Sequence, residues 1–197
     1  MNHVLNWSDV VAYFGDVINE YSIPLKRAKY ETYALLACRN TEHGEAMFLN
    51  KNGDHAEADL VRSRLWQEQL DAAISEWDVR SDPMVIMLLL NRAPCSHCAH
   101  LLASALHELN RRYAIRALKQ YFVLGMLGNY HSNKPFQKAM LPEGMDIYNQ
   151  KTFDKTFSSQ RGFSELKEAG WKPCVLDFGQ GLTRRGKELL FFLQNLA

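Results

Sequence analysis

The segment Met84–Leu90 (MVIMLLL), a run of seven apolar residues, constrains the fold of this chain more than any other. It is bounded by Asp82-Pro83 and Asn91-Arg92, which favours a strand over a helix. A strand without a polar face is typical of the middle of a sheet that is covered on both sides. The chain is therefore expected to build layers around a central strand.

Segments with helical and extended patterns alternate around this strand. Apolar residues at helical spacing predict helices over 7–21, 56–77, 94–112, 162–169 and 183–196. Shorter apolar stretches predict a hairpin over 31–39 and 45–49 and strands over 114–124 and 171–178. This order predicts a mixed sheet with helices packed on it, an α/β layered fold. The 197 residues fit a single domain spanning 1–197.

Residues 125–161 are the least regular part of the sequence, rich in Gly, Pro, Asn, Ser and Lys. The segment is long for a connection inside a compact domain. A functional loop and a merely flexible insertion are both open interpretations.

Charge and cysteine content restrict the partners. The 23 basic and 22 acidic residues give a formal charge of +1, so any polyanion site must be a local patch. No apolar run reaches the length of a bilayer span, and the N-terminus lacks a signal-peptide pattern, so we expect no membrane partner. A cytoplasmic or nuclear location follows, although a domain cut from a secreted toxin would look the same. The oligomeric state is left open.

Two cysteines and one histidine form a candidate zinc site. A catalytic zinc needs three protein ligands and an open fourth position, and His55, Cys95 and Cys98 supply suitable types. The two cysteines are spaced i, i+3 in the first turn of a predicted helix, so both sulfurs point to one side, where the helix dipole favours thiolates. Their C-x-x-C spacing alone also fits a structural zinc half-site or a thioredoxin-like redox pair.

His55 and Glu57 lie where a loop meets the preceding helix. Two helices that start from one sheet edge can bring their N-termini together, so one metal could join both motifs. Glu57 would not ligate; it would carry protons from water to the base nitrogen and to the leaving ammonia. H-x-E followed by P-C-x-x-C is the signature of zinc-dependent nucleobase deaminases.

Four other histidine and cysteine side chains are assigned no role in metal binding or catalysis. His97 and His100 adjoin the cysteines, but His97 points away from them on a helix, so we expect surface histidines. Cys38 and Cys174 lie in predicted strands, where a buried free thiol is the ordinary explanation.

Beyond these motifs, the chain resembles the AID/APOBEC family of polynucleotide cytosine deaminases. The similar segments are 31–33 (ETY), 50–53 (NKNG), Tyr121-Phe122 and 162–170 (GFSELKEAG), spread through most of the sequence. The resemblance implies a cytidine-deaminase-like fold, a five-stranded mixed sheet flanked by helices, with substrate bound by loops above a Zn²⁺ ion.

The resemblance also implies substrate contacts. Asn50 would touch the target sugar and Tyr121 would lie against the flipped base or its neighbour. Three basic residues before the first strand would touch phosphates: Lys26, Arg27 and Lys29. Aromatic faces and cationic loops suit unpaired bases and their backbone. Core packing at a strand end is an equally open interpretation of Tyr121.

The chain departs from the family at two places. The family has Ser-Trp-Ser before Pro-Cys, whereas Asn91-Arg92-Ala93 precedes Pro94, so Arg92 replaces a pocket aromatic. The segment after Phe122, which reads the neighbouring base in the family, is replaced by the insertion. The sequence preference therefore does not transfer.

These features predict an enzyme, a hydrolase that acts on the amidine C–N bond of cytosine in single-stranded DNA or RNA and yields uracil. A deaminase of free cytidine or nucleotides is the first alternative. A catalytically silent, zinc-stabilised module that binds nucleic acid or a partner is the second, and the presence of Glu57 argues against it.

Overall fold

A computed structural model describes residues 3–27, 32–38, 47–49, 55–75, 84–113, 120–128 and 160–196. Six strands form one sheet: β1 (Val4–Asn6), β2 (Tyr33–Cys38), β3 (Met47–Leu49), β4 (Met84–Leu90), β5 (Gln120–Met126) and β6 (Trp171–Asp177). The flanking α-helices are α1 (Trp7–Phe14), α2 (Ser22–Arg27), α3 (Ala56–Arg62), α4 (Arg64–Ser75), α5 (Ser96–Tyr113), α6 (160–169) and α7 (Arg184–Gln194).

The strands follow the order β1-β6-β5-β4-β2-β3. The neighbouring strands β1, β6, β5 and β4 run parallel to one another, whereas β2 runs antiparallel to both β4 and β3. The α/β class with a mixed sheet flanked by helices is thereby confirmed. The five predicted strands are present, and the short β1 adds a sixth at the edge beside β6.

One edge of the sheet collects the carboxyl ends of five strands: β1, β3, β4, β5 and β6. Leu90 of β4 is paired with Met126 of β5, and Met126 is paired with Val175 of β6. On the other side β2 begins beside the end of β4, and Tyr33 is paired with Leu49, the last residue of β3. We call this the carboxyl edge. The chain leaves it after β3 toward His55 and after β4 toward Cys95.

The strand β4 is the centre of the hydrophobic core, as its sequence predicts. All of its residues are buried except Val85, which is half-buried. Neighbouring β2 is likewise fully buried from Ala34 to Cys38. Apolar area removed from water on this scale is the main stabilising term of such a sheet.

The helices α4, α5, α6 and α7 contact one another in turn. The Tyr113 hydroxyl of α5 donates a hydrogen bond to the Asp71 carboxylate of α4. Helix α6 approaches α5 closely, since a Cβ on Gly162 would lie 3.0 Å from the Ala99 Cβ. The Phe163 ring of α6 packs edge-on against Phe192 of α7 at 5.3 Å. Close packing of this kind fixes the helix ends relative to the sheet.

The predicted helix over 7–21 is wrong in its continuity. Gly15 has a φ of 87°, in the region that favours glycine, and its N–H donates to the Val11 carbonyl to end α1. A 3₁₀-helix (Asp16–Tyr21) and then α2 follow. The Trp7 indole Nε1 donates to the Asn19 Oδ1 at 2.9 Å and ties the two halves together.

The predicted helix over 56–77 is also interrupted. Ser63 is extended, with φ −72° and ψ 147°, and separates α3 from α4. Its hydroxyl donates to the Leu60 carbonyl at 2.6 Å and accepts from the Trp66 N–H at 3.2 Å. The serine thus closes one helix and caps the next, which is the competition with helical hydrogen bonds that its side chain allows.

Other boundaries shift by a few residues. Helix α5 begins at Ser96 rather than Pro94, and β5 continues through Gly125 to Met126. Residues 114–119, 129–159 and the end of the predicted helix at 76–77 lie outside the described residues. Of the segment predicted to be irregular, 125–161, residues 125–126 belong to β5 and residues 160–161 to α6, and the irregular character of 129–159 stays a prediction. Within the described part of the chain, none of the helices is both long and apolar enough to cross a bilayer.

Candidate metal centre

His55 stands at the N-terminus of α3. Its backbone is extended, with φ −89° and ψ 138°, and its carbonyl accepts hydrogen bonds from the N–H groups of Ala58 and Asp59. It is therefore the N-cap of the helix. It follows β3, which ends at the carboxyl edge, by six residues.

Cys95 occupies the equivalent position at the start of α5. Its carbonyl accepts from the Ala99 N–H at 2.8 Å, and its Sγ lies 3.5 Å from the Cys98 backbone nitrogen. The sulfur thus takes the place that a serine or aspartate oxygen takes in an ordinary N-cap. Cys98 follows one turn later and is fully buried.

The three side chains meet at one point. The Nδ1 of His55 lies 3.2 Å from the Cys98 Sγ and 3.5 Å from the Cys95 Sγ. One ligand atom from each residue falls within 4.8 Å of the others, so the group could hold a metal ion. It is the one such group of three His, Cys, Asp or Glu side chains among the described residues.

The turn that carries Cys95 is held by its neighbours. The Ala93 N–H donates to the Gly128 carbonyl at 2.7 Å, which joins the turn to the segment after β5. Buried Asn91 joins it to β2, since its Oδ1 accepts from the Tyr33 N–H at 2.8 Å. Asn91 was missed in the sequence analysis. A polar residue directly after an apolar run is the signal that could have indicated it.

The two thiols have strongly unequal acidities. A hydrogen bond from Cys98 is the largest cause that lowers the pKa of Cys95, to about 5. The same hydrogen bond raises the pKa of Cys98, and burial raises it further. A cation that binds here would displace the thiol protons and be held by two thiolates and an imidazole.

Glu57 is the second residue of α3, two positions after His55, and is 2% exposed. Its Oε2 is buried without a hydrogen-bond partner among the described residues. Burial is the largest cause that raises the pKa of Glu57, and a hydrogen bond with Cys98 acts in the opposite direction. Buried carboxylate oxygens rarely lack a hydrogen-bond partner. A ligand that binds here and leaves again would supply the missing partner.

The donor set suits a metal that accepts nitrogen and sulfur. One imidazole and two thiolates leave one position open in a four-coordinate site, which is typical of catalytic rather than structural sites. A polar ligand bound beside this group could hydrogen-bond the Glu57 Oε2, which has no partner among the described residues. The residues present therefore fit a bound metal ion.

The two histidines near the cysteines are on the surface, as predicted. His97 is exposed, and His100 is exposed with its Nδ1 3.0 Å from the Glu165 Oε2 of α6. Neither belongs to the metal-binding group. Cys38 is buried in β2 and Cys174 is half-buried in β6, and neither is part of a disulfide bond among the described residues.

The predicted substrate contacts are only partly placed. Arg92 is half-buried in the turn between β4 and Cys95, next to the metal-binding group in the chain. Asn50 and Lys29 lie outside the described residues. Lys26 and Arg27 belong to α2 rather than to a loop, and the Lys26 Nζ lies 4.3 Å from the centre of the Phe178 ring.

Tyr121 is not brought to the metal-binding group. The prediction placed it near the end of a strand, but it is the second residue of β5 and is paired with Val85. That position is about 17 Å along the strand from Leu90, at the opposite edge of the sheet. Its half-exposed ring lies under the Lys172 Nζ, 3.5 Å away.

No protein-family profile matches this chain, and no curated protein matches it either.

Proposed function

We propose that this chain is a zinc-dependent cytosine deaminase that acts on single-stranded nucleic acid. The observation that carries the proposal is the buried Glu57 Oε2, which has no described partner and lies beside His55, Cys95 and Cys98. A carboxylate in this state, next to three metal ligands, is suited to handle protons on a substrate.

His55, Cys95 and Cys98 would hold the zinc ion. One imidazole and two thiolates are typical zinc ligands, and softer or harder metals are less suited to this mixed set. Bound in a three-ligand site, zinc acts as a Lewis acid that makes water nucleophilic at neutral pH.

Glu57 would carry the protons of the reaction. In the hydrolysis of cytosine, a C4–O bond forms with water, the C4–N4 bond breaks, and uracil and ammonia result. Glu57 accepts one proton from the attacking water and delivers it to N3 of the base. It then passes the second water proton to the departing amino group, so the carboxylate returns to its starting state.

The position of Glu57 also argues against a purely structural metal site. Such a site is closed by four protein ligands and has no use for a buried carboxylate beside it. Burying an unsatisfied carboxylate costs free energy, about 1–3 kcal/mol or more for a charged group. A role in turnover explains why this cost is tolerated.

Arg92 bears on the class of substrate. It lies in the turn that delivers Cys95, where the resemblance implies an aromatic pocket residue. A guanidinium can hydrogen-bond a base edge or a phosphate, which an aromatic ring cannot. We therefore expect a polyanionic substrate, for which extruding a base from a single strand costs little.

The proposal is tested by incubating the zinc-loaded protein in parallel with cytosine-containing single-stranded DNA, single-stranded RNA, duplex DNA and free cytidine. Uracil formation is measured by mass spectrometry. We expect conversion in at least one single-stranded polynucleotide and little in the duplex. Turnover of cytidine alone would contradict the substrate class, and no turnover of any substrate would contradict the proposed activity.

A further inference from the structure

Four cationic side chains extend from the first turns of α6 and α7: Arg161, Arg184, Arg185 and Lys187. All four are exposed, and the side chains of Arg161 and Arg184 are 76% and 87% accessible. We call this set the α6–α7 cationic surface. Three of the four lie within one turn of α7, in a chain whose formal net charge is only +1.

This surface adjoins the metal centre on two sides. A Cβ on Gly128 would lie 2.7 Å from the Arg185 Cβ, and the Gly128 carbonyl accepts from the N–H of Ala93, two residues before Cys95. On the α6 side, a Cβ on Gly162 would lie 3.3 Å from the Ser96 Cα. The first turn of α6 therefore packs against Ser96, next to Cys95, and the first turn of α7 packs against Gly128, which is hydrogen-bonded to the turn that carries Cys95.

The acidic groups nearby do not neutralise the surface. Arg161 pairs with Glu165 at 3.0 Å and Arg184 pairs with Glu188 at 3.4 Å, both within their own helices. Such exposed pairs are weak and are screened by salt. Arg185 and Lys187 form no ion pair with any residue that the structure describes. At least two positive charges remain available to a ligand.

The stability of the helix does not account for these residues. Helix α7 has no acidic residue in its first turn, where the macrodipole favours acids and disfavours cations. Its N-terminal N–H groups are capped instead by Thr183, whose Oγ1 accepts from Gly186 N–H at 3.0 Å. Three cations in one first turn therefore act against the helix that carries them, and a polyanion bound outside the helix would offset this cost.

We propose that the α6–α7 cationic surface binds the phosphodiester backbone of the single-stranded nucleic acid whose target base enters the metal centre. The identity of the substrate rests on the proposed function, but the binding itself does not. This surface differs from the set Lys26, Arg27 and Lys29, which the family resemblance implies. Side-chain cations that face phosphates give sequence-independent affinity that falls with salt.

The test is a binding measurement that requires no turnover. Zinc-loaded protein is titrated into fluorescently labelled oligo(dT) and oligo(U), which contain no cytosine, and anisotropy is followed at several salt concentrations. In the double variant Arg185→Glu with Lys187→Glu, we expect about tenfold weaker binding at low salt. The slope of log K against log salt should also become shallower, by about 0.7 for each phosphate that the protein no longer neutralises.

A matched control carries the same change of charge elsewhere. Arg111→Glu with Arg112→Glu alters two exposed cations in the last turn of α5, about 22 Å along the helix from Ser96. We expect this control to bind within about twofold of the unchanged protein at moderate salt, because exposed charges farther than about 10 Å from a ligand are then largely screened. Equal losses in both variants would overturn the proposal, and so would unchanged binding in the first. An unchanged protein that binds neither oligonucleotide would overturn it too.

The proposed function is scored separately on cytosine-containing oligonucleotides. If the unchanged protein deaminates them while both double variants bind equally well, the surface is wrong and the proposed function stands. If the first variant loses binding but the unchanged protein never deaminates, the surface stands and the proposed function fails. When both hold, the first variant raises KM and leaves kcat close to that of the control.

Discussion

The Oδ1 of Asn91 accepts a hydrogen bond from the backbone N–H of Tyr33 at 2.8 Å, which joins the end of β4 to the start of β2. Asn91 is buried and stands four residues before Cys95. Its carboxamide is thus one of the anchors that hold the turn carrying the first cysteine of the metal centre.

Asn91→Ala removes this anchor and leaves the Tyr33 N–H without its side-chain acceptor. We expect a loss of about 1–3 kcal/mol in the free energy of unfolding, measured with urea. Metal affinity, measured by Co²⁺ absorption titration, should fall by about tenfold because the turn is less well fixed. Asn110→Ala is the control, since Asn110 bonds the Ala169 carbonyl at the far end of α5. An equal loss of affinity there would contradict the role assigned to Asn91.

The metal-binding group makes a direct prediction for zinc stoichiometry. Cys95→Ala or His55→Ala should abolish the binding of one zinc per chain, because only two ligands would remain. Cys174→Ala changes a half-buried thiol of β6 outside the group and should retain one zinc per chain. The zinc content of all three variants is measured by metal analysis after dialysis. Full zinc retention by Cys95→Ala would show that the group has been assigned wrongly.

Ser63 links α3 and α4 through two hydrogen bonds of its hydroxyl, to the Leu60 carbonyl and from the Trp66 N–H. Ser63→Ala should lower the free energy of unfolding by about 1 kcal/mol, as loss of an N-cap does. Ser63→Thr should restore most of it, because the hydroxyl is kept. Ser104→Ala, at an exposed position of α5, should change stability by less than about 0.5 kcal/mol. Thermal or urea unfolding compares the three.

Because the thiol of Cys38 is buried, we expect the free energy of unfolding to fall at high pH. Burial raises the pKa of this thiol from 9.0 to about 12 in the folded chain. A raised folded pKa means that its contribution is fully present below about pH 9 and is lost as the pH rises toward 12. By pH 10 the loss amounts to about 1.4 kcal/mol. Urea unfolding of the unchanged protein and of Cys38→Ala at pH 8 and pH 10 should show this difference between the two pH dependences. Parallel pH dependences would contradict it.

Sequence reasoning succeeded where a local pattern has only one plausible structural solution. The apolar run Met84–Leu90 is the central strand, because no polar residue allows either face to contact water. The convergence of His55 with Cys95 and Cys98 was likewise predicted, since each motif precedes a helix that starts from the same sheet edge. Residue spacing and strand direction together are sufficient to predict this convergence.

It failed where the outcome depends on single residues or on pairing between distant strands. Apolar spacing over 7–21 continues across Gly15, whose positive φ ends α1. The hydroxyl of Ser63 breaks the second predicted helix in the same way. Tyr121 was misplaced because the register of β5 is set by its pairing with β4, which is not visible in the pattern of β5 itself. Asn91 acts through a partner 58 residues away.

The most direct test of the central claim compares the unchanged protein with Glu57→Gln, which keeps the shape of the side chain but cannot accept a proton as a carboxylate does. Both proteins are assayed for zinc content and for uracil formed in a cytosine-containing single-stranded oligonucleotide. We predict one zinc per chain in both, with conversion by the unchanged protein and a loss of at least about a hundredfold in the variant. Equal conversion by both proteins, or no conversion by the unchanged protein with its zinc bound, would contradict the claim.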